Sequence, residues 1–156
     1  MSKAFTKEDA GGEEALPPYV PPWPAGARNY VTAAGYERLR RARQAAADEP
    51  LAASSEARRR LQVLNAHLDA AEIVPVPAAC DRVQFGTLVE VRDEAGGLRP
   101  VAIVGVDEVD AARGRVSWLS PLARALQGAR VGDTVVVHTP RGEQTLEVVS
   151  IAPLPY

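Results

Sequence analysis

Between residues 57 and 71 the apolar positions fall at Ala57, Leu61, Leu64, Leu68 and Ala71. Steps of four and three place them on one seam of an α-helix, the pattern of a coiled coil. Leu39, Ala42 and Ala46 repeat the seam more briefly upstream. Alanine, leucine, arginine and glutamate dominate the whole stretch 32–74, and these residues lose little on entering a helix. Pro50 breaks it, because proline disfavours helical geometry in Glu49 before it, and Ser54 and Ser55 supply a hydroxyl that can cap the next helix. The pattern therefore predicts an antiparallel helical hairpin over residues 30–74. Arms of about 17 residues at 1.5 Å rise would be ~26 Å long.

After Pro75 and Pro77 the period changes to short valine-rich runs bounded by glycine, aspartate and proline. These predict strands at 87–92, 101–104, 115–119, 134–138 and 145–151, with turns at 94–97, 110–114 and 140–142. Between the third and fourth, S-P-L-A-R-A-L-Q-G carries a serine cap, about two helical turns and a glycine stop. The expected class is α+β: the hairpin, a linker over 75–81, and a compact domain over 82–156. Residues 1–29 follow neither period. Their glutamate and proline pairs predict a mobile tail, in which the prolines around Tyr19 and Trp23 favour extended geometry that can dock on an aromatic groove.

Composition changes this picture little. At 156 residues, 46% apolar and 24% charged, the chain falls in the globular range. No run of 18 apolar residues exists to suggest a membrane span, and the first residues carry no secretion pattern, so a cytoplasmic location is expected. One cysteine excludes an internal disulfide framework and a cysteine-rich zinc site. Charge by segment is more informative than the total of −2: residues 1–29 carry −1, residues 30–74 carry +1, and residues 75–156 carry −2. The basic excess lies on the hairpin, at Arg40, Arg41, Arg43, Arg58 and Arg59 with Arg38 and Arg60 beside them. Such a face offers itself to a phosphate backbone or an acidic protein channel, although its interleaved glutamates favour a solvated helix surface.

The common catalytic signatures are missing, including the phosphate loop, the dinucleotide turn, the zinc helix and the nucleophile elbow. His67 beside the seam, His138 at a strand end and Cys80 in the linker read as structural residues. Asp48 and Glu49 are sharper. At the hairpin tip, two carboxylates either solvate a turn or help hold a Mg²⁺ shared with a partner.

The motifs N-Y-V-T-A-A-G-Y-E-R-L (29–39), R-V-Q-F-G-T-L-V-E-V (82–91), I-V-G-V-D-E (103–108), S-P-L-A-R-A-L-Q-G (120–128) and V-G-D-T-V-V-V-H-T-P-R-G-E (131–143) resemble the GreA/GreB family of bacterial transcription elongation factors. The resemblance covers about 110 residues. It implies an FKBP-like antiparallel sheet domain with one short helix that grips RNA polymerase at the rim of the secondary channel, while the hairpin enters the channel. In that family an acidic D-x-x-E-N type tip helps bind the second Mg²⁺ for cleavage of backtracked RNA. Here the tip reads A-A-D-E-P-L-A-A-S-S and the arms are about half as long, similar to the regulator of nucleoside diphosphate kinase. The implied protein is a monomeric regulator, not itself an enzyme. It needs no cofactor beyond Mg²⁺ shared with the polymerase, and touches nascent RNA only indirectly. The alternatives are a cleavage-stimulating factor using Asp48 and Glu49, and an interaction module whose proline segment recruits another partner. Asp107, Glu108, Ser120, Pro121, Leu122 and Arg124 are the polymerase contacts the resemblance implies. Pro121 rigidifies its loop and Arg124 suits a bidentate pair with a carboxylate, whereas Leu122 and Leu126 fit a core role equally well.

Overall fold

The computed structural model describes residues 15–50 and 54–155. Strand β1 (Asn29–Val31) leads into α1 (Ala33–Asp48); α2 (Ser55–Ala70) leads into β2 (Ala71–Ile73). Each helix has 16 residues, or about 24 Å. Thr32 Oγ1 caps α1 by accepting from Gly35 N at 3.0 Å, and Ser54 Oγ caps α2 by accepting from Ala57 N at 3.1 Å. At the far end α1 stops where Glu49 turns extended, as the residue before a proline must. The turn expected after it falls at 51–53, outside the described residues. Parallel pairing of β1 with β2, Asn29 opposite Ala71, brings the start of α1 to the end of α2, so the helices lie side by side and run oppositely. Leu39, Ala46 and Ala57 are buried on the seam, whereas Leu61, Leu64 and Leu68 are only half-buried.

The remaining strands form one sheet, in the order β5-β4-β3-β7-β6. They are β3 (Thr87–Arg92), β4 (Leu98–Val104), β5 (Arg115–Ser117), β6 (Thr134–Thr139) and β7 (Gly142–Pro153). The sheet is mixed, which corrects the antiparallel expectation: β5 runs parallel to β4. Two 3-10 turns, Val106–Glu108 and Ala111–Arg113, carry the chain back so that it re-enters the sheet in the same direction. Cross-strand pairing also lengthens β4 and β7 beyond their apolar runs, since polar residues such as Arg99 and Glu143 fit the solvent side of a ladder. The inward positions Val89, Val91, Val101, Ile103, Leu146 and Val148 make the core, and α3 (Pro121–Leu126) closes it with Ala123 and Leu126.

The expected mobile tail is corrected from residue 15 onward; residues 1–14 lie outside the described residues. Pro17 O accepts from Arg59 Nη1 at 2.9 Å and from Gln62 Nε2 at 3.2 Å. The Arg59 guanidinium sits 5.4 Å from the centre of the Tyr19 ring, and Trp23 meets His67 edge-on at 4.9 Å. Proline has already limited the freedom of this segment, so laying it along α2 costs less than ordering an ordinary polar tail.

Candidate functional site

The turn after β4 carries Asp107 and Glu108 into the junction between the helical pair and the sheet. Glu108 is 4% exposed. Its carboxylate accepts from Thr32 N at 3.0 Å, from Gly105 N at 3.1 Å and from the Thr32 hydroxyl. Arg38 lies 3.7 Å away on the solvent side. Two glycines make this approach possible: a Cβ at Gly35 would fall 2.4 Å from the Glu108 carboxyl carbon, and one at Gly105 would fall 2.1 Å from Tyr30 O. Asp107 bonds to His67 Nδ1 and accepts from Asn29 Nδ2 at 3.3 Å, while that amide also donates to His67 O at 3.0 Å. His67 Nε2 meets the Tyr19 hydroxyl. The pattern is complete when Nδ1–H donates to the carboxylate and Nε2 accepts from the phenol. Segments from the N-terminal strap, β1, α2 and the sheet are thus joined by one buried polar network, which holds the helical pair at a set angle.

Asp107 and Glu108, polymerase contacts that the resemblance implies, are therefore placed in the junction and bonded within the chain. Their side chains are only 11% and 1% exposed and their acceptors are already engaged within the chain. The residue types gave no warning, because an acidic pair after a glycine looks the same whether it faces water or a neighbouring helix cap.

Burial, and then the negative charge of Asp107, push the Tyr19 phenol above its ordinary value of 10.0, against a smaller opposing pull from Arg59. The folded state thus holds the phenol proton more tightly than the unfolded chain. The associated stability is present below pH ~10 and is lost as pH rises through the elevated value. Tyr19→Phe should lose less stability than the wild type between pH 8 and pH 11 in urea melts. Parallel slopes would show that the phenol is not coupled to folding.

Ser120, Pro121, Leu122 and Arg124 lie together on α3 and its cap. Ser120 Oγ accepts from Ala123 N at 3.2 Å, Pro121 occupies the first turn, and Leu122 packs half-buried on the core. Arg124 is exposed. Beside it Tyr30, Phe85, Trp118, Leu119 and Gln127 enclose a groove of about 300 Å³. The sequence reading did not single out these aromatics, although N-Y-V and V-Q-F both stand inside matched motifs.

The hairpin tip and basic face are largely committed within the chain. Asp48 accepts from Gln44 Nε2 at 3.0 Å, and Glu49 pairs with Arg60 at 3.5 Å. Arg40 pairs with Glu37 at 3.1 Å, Arg59 holds the strap, Arg58 is half-buried, and Arg41 and Arg43 are exposed. Among the described residues no three histidine, cysteine or acidic side chains cluster as a metal site would require. Cys80 is half-buried, its thiol pushed up by burial and by Asp81, and His138 is an exposed neighbour of Glu143 at 3.4 Å.

Fold and site together define a two-part α+β protein in which a helical pair is keyed to a curled five-stranded sheet through buried carboxylates. Residues 78–153 match the family described as transcription elongation factor GreA/GreB, C-terminal, and this domain of the chain belongs to the GreA/GreB family. The transcription elongation factor GreB of Neisseria meningitidis serogroup B is 43% identical over 95 residues, 60% of this chain and 58% of that protein. The transcription elongation factor GreA of Anaeromyxobacter sp. strain K is 46% identical over 84 residues, 53% of this chain and 51% of that protein. The chain thus spans about half to three fifths of the length of these relatives. Among solved structures, GreA factor homolog 1 (Gfh1) of Thermus thermophilus superposes with a TM-score of 0.43 at 27% identity, over 81% of this chain and 99% of that one.

Proposed function

We propose that the protein is a transcription elongation regulator that binds RNA polymerase at the rim of the secondary channel through its sheet domain, and that it does not efficiently promote transcript cleavage. The match of residues 78–153 to the GreA/GreB C-terminal domain carries the first half of this reading. In it the sheet domain is FKBP-like, the helical pair is a shortened coiled coil that projects into the channel, and Ser120, Pro121, Leu122 and Arg124 meet the polymerase. The protein acts as a cytoplasmic monomer without a cofactor of its own, and any Mg²⁺ belongs to the polymerase centre.

The second half rests on the tip. A carboxylate assists a metal only when it reaches bonding distance of about 2 Å. Arms of about 24 Å limit that reach, and Asp48 and Glu49 already serve Gln44 and Arg60. In a purified, backtracked elongation complex the protein should bind polymerase without accelerating RNA cleavage. Replacing Asp48 and Glu49 together with alanine should leave both readouts unchanged. Fast cleavage abolished by that double substitution would instead make the tip a Mg²⁺-organising site, and failure to bind polymerase would remove the reading altogether.

A further inference from the structure

A second cleft, of about 330 Å³, lies between α1 and the loop that follows β4. Part of its lining is apolar: Leu39 and Ala42 from α1, and Val109, whose side chain is exposed. Its charged lining falls into two sets. The carboxylates are already engaged, Asp107 and Glu108 inward at the junction and Asp110 by accepting from Ala112 N at 3.1 Å. The guanidiniums of Arg38, Arg113 and Arg115 are not. Among the described residues none of the three donates a hydrogen bond within the chain. The approaches of Arg38 to Glu108 at 3.7 Å and of Arg113 to Asp110 at 3.6 Å are both longer than a hydrogen bond. Arg38 comes from the helical pair, Arg113 from the second 3-10 turn and Arg115 from β5, so both parts of the molecule contribute. The loop that carries two of these arginines is fixed in place: Asp110 and Arg115 exchange backbone hydrogen bonds of 3.1 and 2.9 Å, and a Cβ at Gly114 would fall 2.4 Å from Pro100 O.

We propose that this cleft binds the diphosphate group of a small nucleotide. The planar fork of a guanidinium matches a pair of phosphate oxygens, and three forks call for more acceptors than one carboxylate offers. Two linked phosphates supply them. Asp107 and Glu108 turn their oxygens into the junction, so Asp110 is the one carboxylate of the lining open to solvent, and the three guanidiniums outweigh it. Leu39, Ala42 and Val109 give the base and sugar an apolar wall, and the volume lies at the lower end of the range for small-molecule sites. Inorganic pyrophosphate presents the same diphosphate without a base, and this wall selects the nucleotide over it. The site stands apart from the polymerase-binding reading. Its ligand ties Arg38 on α1 to Arg113 and Arg115 beside the sheet, and so stiffens the junction whatever the protein docks on.

The test uses the full chain, with ADP, GDP and inorganic pyrophosphate as probes in isothermal titration calorimetry and thermal melts. The nucleotides should bind and raise the thermal midpoint, as any ligand of the folded state does, and pyrophosphate should bind more weakly. Arg113→Ala and Arg115→Ala should each weaken nucleotide binding by about tenfold or more, the loss of a charge-assisted hydrogen bond. Arg113→Lys should fall between, because it keeps the charge and loses the fork. Arg141→Ala, on the exposed β6–β7 turn, should bind like the wild type. Arg113 is exposed, so its truncation spares the fold even where Arg115→Ala, checked by melts without ligand, does not. Absence of binding by all three probes would overturn the site, as would binding that survives in Arg113→Ala. Pyrophosphate bound as tightly as the nucleotides would overturn the nucleotide in favour of an inorganic ligand. A single-stranded RNA oligonucleotide that displaces ADP, binds more tightly and is lost in Arg113→Ala would overturn the small molecule in favour of a nucleic-acid backbone.

Discussion

Glu108→Ala should lower the thermal midpoint by about 10 °C, the largest loss expected of any single truncation at the junction. The carboxylate is 4% exposed and accepts from two backbone N–H groups, those of Thr32 and Gly105, as well as from the Thr32 hydroxyl. Alanine would leave these donors buried and unanswered, at about 1–3 kcal/mol for each such group. A total near 3 kcal/mol corresponds to roughly 6–12 °C for a chain of this size. The charge itself matters less. Arg38 stands 3.7 Å off with its own side chain 56% exposed, a geometry of ion pair worth little. Glu108→Gln therefore separates the two contributions: one amide oxygen can still accept from both backbone donors, so the glutamine variant should lose only about 1 kcal/mol. Differential scanning calorimetry of the three proteins decides it. Equal losses in the alanine and glutamine variants would mean that charge, not acceptor geometry, holds the junction.

Much of the scaffold was legible from period alone. The four-three spacing of the leucines located α2, Pro50 located the end of α1, and the valine runs located all five strands of the main sheet. What period could not supply was anything set by distant neighbours. The three-residue strands β1 and β2 exist only because residues 29–31 and 71–73 meet after the chain has gone out along one helix and back along the other. Likewise the parallel direction of β5 depends on the two 3-10 turns before it, whose residues 106–113 show no periodic signature.

The site was legible in part and for a similar reason. Ser120 and Pro121 announce a helix start by residue type, and the structure has them there. Asp107 and Glu108 were visible as an acidic pair, yet nothing in a linear sequence says that Thr32, Asn29 and His67, between 40 and 78 residues away, would face them. The strap was misjudged because proline-rich composition reports how little a segment can bury by itself. It does not report that Tyr19 and Trp23 find a histidine ring waiting on α2. α2 meets α1 on one face and, through Arg59, Gln62 and His67, the proline-rich segment on another.

His67→Leu should be nearly as costly as the loss of Glu108, and for a different reason. The imidazole is 6% exposed and bonds to both Asp107 and Tyr19. Leucine has similar bulk, so the cavity contribution is small, but it leaves a carboxylate with 11% side-chain exposure facing an apolar neighbour. Removing one partner of a buried hydrogen bond typically costs about 1–3 kcal/mol, whereas replacing both partners with apolar groups of similar shape can be close to neutral. Asp107→Leu alone should likewise destabilise, since it leaves the imidazole N–H and the Asn29 amide without their shared acceptor. The double variant His67→Leu with Asp107→Leu should then recover at least 1–2 kcal/mol relative to the sum of the single losses, the range expected of residues in direct contact. Urea denaturation of the four proteins closes the cycle. Strict additivity would show that the two side chains stabilise the junction independently. A recovery with unchanged polymerase binding would show that the network sets stability alone. A recovery in stability accompanied by weaker binding would show that the angle of the helical pair, fixed by this histidine and carboxylate, is what the polymerase recognises.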